Sequence, residues 1–425
     1  MLGLGRHTLT GCLSTLGAQQ RDWSADYRLY ARERVAPEAA FGTILAEAAA
    51  RTPGRLWLGL DDSTLHKSGR RIPRCGWRRD PLSPPFAVNF QWGQRFVQSS
   101  LLFPHAGGPA RALPVDFCVL PQAGKTASAE ERRAANVNVV AVGRLEKLRA
   151  HLPAGRGVIA AVDGRFTNRT FLRARPASVE VVGRVRKDTA LFFAPQAQAA
   201  TGRRRFYGAP APSPEALRQD ESRPWQEVEI FAAGKTHAMK FKELGPVRSR
   251  LTGAADLRVI VIAPLGYRLR KGGKLLYRQP AYLLVSDPAL SVSEAVQGYV
   301  WRWEVEVNFR EEKTLFGVGQ AQVRHPESVE RVPALQVAAY SALLWAAELT
   351  GAPAAPAVPP PRWRRRSRSA PRTSTAALLN QLRHESWAGS VTPRSLRALW
   401  TRDPATQSAS KLIPNLASAL FLAAA

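Results

Sequence analysis

Cysteine is scarce: Cys12, Cys75 and Cys118 are the only three in 425 residues. They are far apart and form no C-x-x-C pair, which excludes a disulfide scaffold and a thiolate zinc site and fits a reducing cytosol. The seven histidines show no metal-ligand spacing. Long apolar runs are lacking too. Met1 to Gly17 has no apolar core of signal-peptide length, and Val332–Leu349 is interrupted by Pro333, Gln336 and Glu348. That stretch reads as a buried amphipathic helix of a soluble protein, so no membrane partner is expected. The scarcity that matters most is acid. Against 61 Lys+Arg there are 33 Asp+Glu, a formal net charge of +28. A folded chain so unbalanced repels itself unless it meets a polyanion, and nucleic acid is the polyanion this charge points to.

What is present organises into an α/β pattern. A helix is predicted from Pro37 to about Arg51. Leu56-Trp57-Leu58-Gly59-Leu60 reads as a strand buried on both faces, delivering Asp61 and Asp62 at its end. Strands are predicted over 86–92 and 96–103, joined by a turn at Gly93-Gln94, then a helix from Ser128 to about Leu152. A second buried strand, Val158–Val162, ends in Asp163. A short helix (167–173) and a strand (179–185) follow. Residues 189–290 read as a β-rich insertion with strands at 257–262 and 282–285. Ser291-Val292-Ser293-Glu294 fits a capping box opening a long helix to about Lys313, and a second apolar helix covers about 329–349. Residues 351–373 form a Pro/Arg-rich linker, and 374–425 a helical appendage.

Carboxylates at the ends of buried strands cost desolvation energy unless a cation neutralises them, and magnesium takes such oxygen ligands. The long helix adds a third. At 100° per residue Tyr299, Arg302, Glu306 and Lys313 fall within an arc of about 60°, one acid flanked by two cations and a phenol. Several weaker signals are set aside. Asp287 is a rival acid, but Pro288 marks a turn. Ala123-Gly124-Lys125-Thr126 lacks the first glycine of a phosphate loop, since residue 119 is Val119. His66, with Lys67, Arg70 and Arg71, reads as a loop near nucleic acid. Arg184, Arg186 and Lys187 end the strand beside Asp163 and are expected to line a DNA channel. Trp57, Trp301 and Trp303 read as core.

The helix resembles the Y-x2-R-x3-E-x6-K signature of bacterial cut-and-paste insertion-sequence transposases of the DDE type, matched at every spacing by Tyr299, Arg302, Glu306 and Lys313. The resemblance extends to Asp-Asp-Ser-Thr at 61–64, Val-Asp-Gly-Arg-Phe at 162–166, their order, and a β-rich insertion before the glutamate, over about residues 55–350.

It implies an RNase H-like mixed sheet flanked by helices. Its first part would be 55–188, interrupted by the insertion at 189–290 and completed by 291–350, with 1–54 a small helical region near DNA ends. It implies Asp163 and Glu306 as second and third acids around two Mg2+ ions, with Mn2+ as a substitute. Tyr299, Arg302 and Lys313 would contact DNA backbone. The partners implied are double-stranded transposon ends and target, with a homodimer in the synaptic complex, in a bacterial, nucleoid-associated cytoplasmic setting. The first acid stays open: both Asp61 and Asp62 precede Ser or Thr by two residues, strand alternation allows only one as ligand, and the reading leans slightly to Asp62. A non-catalytic DNA-binding regulator and a structure-specific nuclease on the same core remain alternatives.

Overall fold

The computed structural model describes residues 1–32, 34–80, 83–84, 86–124, 126–196, 204–270, 272–351 and 372–387. Nearly all of the expected linker, and the appendage beyond Trp387, therefore lie outside the described residues.

Three helices come first, α1 (Leu9–Thr15), α2 (Ser24–Ala31) and α3 (Pro37–Arg51). Four strands follow: β1 (Leu56–His66), β2 (Cys75–Arg79), β3 (Phe90–Pro104) and β4 (Ala110–Val119). Helices α4 (Ala129–Ala134) and α5 (Val137–Ala150) lead into β5 (Val158–Val162), and α6 (Arg169–Ala174) into β6 (Val179–Arg184). The next stretch holds β7 (Leu191–Phe192), β8 (Pro210–Ala211), α7 (Pro214–Gln219), β9 (Gln226–Ala232), β10 (Lys235–Ser249), β11 (Leu257–Ile262), β12 (Gly266–Tyr267), β13 (Leu276–Tyr277) and β14 (Ala281–Val285). Four helices complete the description: α8 (Val292–Trp301), α9 (Trp303–Leu315), α10 (Pro326–Thr350) and α11 (Thr375–Trp387).

The result is a mixed α/β fold built on one large mixed sheet flanked by helices. Twelve strands run β2-β3-β1-β5-β6-β14-β11-β10-β7-β8, with β4 also on β3 and β9 on β10. Strands β1, β5 and β6 are parallel, β3 is antiparallel to β1, and β14 is antiparallel to β6. Residues 189–290 thus continue the central sheet through β14, β11 and β10. All five residues of β5 are buried, as expected of a parallel strand covered on both faces. Of these, Val158, Ile159 and Val162 each contribute about 1.5–3 kcal/mol on burial.

Three expectations need correcting. Gly93-Gln94 is no turn: Gly93 lies mid-strand in β3, paired with His66 on one side and Gly76 on the other. A glycine that reads as punctuation in sequence is here the crossing point of three strands. Strand β1 does not end at its acids, because β3 pairs with it as far as His66. The helix expected over 128–152 is two, since Asn136 caps α5 with its own side chain while α4 opens on a capping box at Ser128. Helix α10 is long and apolar enough to span a bilayer by length and composition, yet half of its most apolar window is buried within the protein, against β4 and α3.

Candidate active site

The site is assembled where α8 and α9 cross β1. Two glycines permit that approach. A Cβ on Gly298 would fall 2.2 Å from the ring of Trp57, and one on Gly59 would fall 2.6 Å from Val305. Trp57, Gly59, Asp61 and Ser63 alternate onto the face that these helices cover. Further along that face, Lys313 Nζ donates to Ser63 Oγ at 2.7 Å.

Asp61 is buried. Arg302 Nη1 donates to its Oδ2 at 2.7 Å, and the Asp62 backbone N–H donates to its Oδ1 at 2.8 Å. The same guanidinium reaches Glu306, Nη2 to Oε1 at 2.8 Å. Arg302 therefore ties the acid of β1 to the acid of α9. Parallel pairing sets Leu60 beside Val162, so Asp61 and Asp163 follow at one level on one face. Burial pushes the Asp61 carboxyl up to about 7; Arg302 opposes the rise and Asp163 adds to it. Burial works against the charge of Arg302, but Asp61, Tyr299 and Glu306 outweigh it and hold its pKa above the ordinary value. The guanidinium also lies 5.7 Å from the Tyr299 ring centroid, and burial raises the Tyr299 phenol. Lys313, near the rings of Phe96 and Phe309, is lowered by burial.

Asp62 points to the opposite face. Arg95 Nε donates to its Oδ2 at 2.7 Å, and Arg165 Nε lies 3.0 Å from its Oδ1. The leaning toward Asp62 is thus at odds with the geometry, which brings Asp61 to Arg302 and Glu306. Arg95 and Arg165 escaped sequence reasoning. The 162–166 run contains Arg165, but only the β1–β3 register reveals Arg95.

Arg186 and Lys187 are exposed just past β6 at the edge that carries the acids, with Arg186 paired to Asp188 at 3.0 Å. Lys67 turns inward, donating to the Gly319 and Ala321 carbonyls, so it is a tie between loops. Trp57 is buried, but Trp303 is 62% exposed and is not core. Asp287 pairs with Arg55 at 3.1 Å, away from the three acids. Among the described residues no three His, Cys, Asp or Glu side chains form a ready metal cluster; a guanidinium stands between Asp61 and Glu306 instead.

No protein-family model matches the chain, and no curated protein matches it. Among solved structures it is similar to a piggyBac transposase, in a cryo-EM structure of the synaptic complex with hairpin DNA, at TM-score 0.33 and 13% identity, covering 86% of this chain and 59% of that one. The chain thus spans less than two thirds of that protein, and a likeness this slight bears on neither fold nor function.

Proposed function

We propose that this chain is a DNA-processing enzyme of the DDE transposase kind, with an RNase H-like core, cutting DNA at element ends and joining it to a target. The observation that carries the reading is the single guanidinium of Arg302 shared by Asp61 and Glu306, with Asp163 at the in-register position beside Asp61. The fold reading is supported by the strand order β4-β3-β1-β5-β6, in which three parallel strands adjoin an antiparallel pair.

The donor set suits magnesium. Asp61 and Glu306 share one guanidinium and Asp163 follows in register beside Asp61; all three are hard carboxylate donors, one of them buried and in need of positive charge, and the described residues offer no thiolate or imidazole among them. Asp61, Asp163 and Glu306 would hold the metal, which when bound supplies charge neutralisation for in-line displacement at phosphorus. Arg302 orients Asp61 and Glu306 against each other. Lys313 is fixed by Ser63 and offers a positive charge beside them, and Tyr299 braces the guanidinium. Arg186 and Lys187 present cations to DNA at the same edge.

Glu306→Gln is the test. It removes a carboxylate that is 35% exposed without deleting side-chain volume. Magnesium-dependent nicking of duplex DNA carrying the element's ends is expected to fall by more than the roughly 10–100-fold typical of losing an outer-shell partner, with DNA binding unchanged. Full nicking by this variant would refute the site.

A further inference from the structure

Asp61 lies on β1 and Asp163 just past the end of β5, two neighbouring parallel strands, and a hairpin leaves the same sheet edge on either side of them. On one side β3 begins far beyond the level of Asp61. Gln98 is paired with Asp61, yet β2 and β3 continue together to Arg79 and Phe90, eight residues or about 25 Å further out. On the other side, β14 is antiparallel to β6 and pairs Leu283 with Arg184, while β11 ends at Ile262 opposite Ala281. The segment 263–280, which carries the small sheet of β12 and β13, therefore leaves by the edge where β5 and β6 end. Counting strands from β3 through β1, β5 and β6 to β14 gives four spacings, or about 19 Å between the roots.

The two projections share a composition found on neither central strand. From Lys67 to Phe96 the only acid is Asp80, and between Asp256 and Asp287 there is none. On the first, Arg70, Arg71 and Arg79 are exposed, and Arg70 lies 4.6 Å from the Trp77 ring centroid and 4.9 Å from that of Trp92. On the second, Arg268, Arg270, Lys274 and Arg278 are exposed. Large aromatic side chains stand out on both, Trp77 at 59% and Tyr277 at 65% exposure.

We infer that the β2–β3 hairpin and the 263–280 hairpin are two jaws that grip one DNA duplex across the acids. Cations on both grip its phosphates, and Arg186 and Lys187 sit on the floor between them. The inference rests on the DNA-processing reading above but concerns binding alone, so it is tested without cleavage. Each phosphate contact contributes about 0.9 to the slope of log K against log salt on duplex DNA.

The experiment is fluorescence anisotropy of a labelled duplex over a salt series, using the full chain in the absence of metal. Arg71→Gln/Arg79→Gln on one jaw and Arg270→Gln/Lys274→Gln on the other are each expected to reduce the slope by about 2, and all four together by about 4. Arg51→Gln/Lys147→Gln, at the far edge where α3 and α5 end, is expected to leave it unchanged. All four side chains of the jaws are exposed, and a circular-dichroism melt verifies that each variant is folded. A wild-type slope in either folded jaw variant, or an equal fall in the far-edge control, would overturn the two-jaw arrangement while leaving DNA binding in place. A wild-type chain without salt-dependent duplex binding would bring down the DNA reading itself.

Discussion

Two carboxylates next to each other in sequence have opposite surroundings, and that separates their roles. Asp61 meets Arg302 and lies level with Asp163, whereas Asp62 is held by Arg95 and Arg165 on the other face. Asp61→Asn is therefore expected to abolish metal-dependent nicking. Asp62→Asn is expected to leave nicking within about tenfold of wild type and to lower stability by about 1–3 kcal/mol, because asparagine offers one acceptor oxygen to two guanidiniums, Arg95 and Arg165, and Arg95 already has a buried Nη2 without a partner. Nicking by both variants measured beside their urea melts checks this, and the reverse pattern would exchange the two assignments. A third acid, Glu312, is a different case. It is buried under α9, Gln98 Nε2 donates to its Oε1 at 2.8 Å, and burial lifts its carboxyl from 4.5 to about 8. The folded chain keeps a proton there that the unfolded chain releases above 4.5. Its contribution to stability is thus full at low pH and declines as pH rises toward about 8, by at most about 1.4 kcal/mol per unit. Glu312→Gln keeps the neutral shape and removes that slope. Its melting temperature is expected to match wild type near pH 4.5 and to exceed it by a few degrees at pH 8; parallel pH profiles would mean that Glu312 is ionised when folded.

Helices α8 and α9 reach β1 because residues 59 and 298 have no side chain there. A methyl at 298 would sit 2.2 Å from the Trp57 ring, and rings in a packed core yield little. Gly298→Ala should cost about 1–3 kcal/mol through overpacking, and Trp57→Leu in the same chain should return part of it, a coupling that a double-mutant cycle in denaturant melts will read. Additive losses would mean that the helix tilts away instead. This approach was illegible in the sequence, where Gly298 looks like a mild flaw in a helix. The helix itself was legible, through its capping box at Ser291 and its apolar faces, but its break at Arg302 was not, because Arg302 itself keeps helical backbone angles. Buried parallel strands announced themselves as continuous apolar runs, and Pro37–Arg51 was delimited by Pro at its start and Thr52-Pro53-Gly54 at its end. β4 was missed because its pattern is not strand-like: it carries Pro114 and a buried Asp116 that Arg144 satisfies from α5. Pairing partners of that kind are long-range facts. The same holds for the first acid, where alternation told that only one of Asp61 and Asp62 could face the helix, and only the crossing of α9 told which.

At the scale of the molecule, charge sets two opposite salt responses. A net charge of +28 on 425 residues is partly answered within the fold, where Arg302, Arg144, Arg111 and Arg372 are paired with carboxylates. Among the described residues, Arg70, Arg71, Arg79, Arg268, Arg270, Lys274 and Arg278 stand exposed on the two hairpins. Those like charges repel, and repulsion of exposed groups is screened over about 10 Å at 0.1 M salt and about 3 Å at 1 M. Salt should therefore stabilise the free chain, raising its melting temperature between low and high ionic strength. The same salt removes the counterion release that drives duplex binding and should weaken that binding steeply. Duplex DNA added at low salt should raise the melting temperature as a ligand of the folded state, and this gain should shrink as salt is added. Scanning calorimetry across a salt series, with and without DNA, reads both curves at once. Convergence at high salt is the expected outcome. A free chain that melts lower as salt rises would mean that attraction among its charges, rather than repulsion, holds the fold together, and the excess cations would then need another reason than a polyanionic partner.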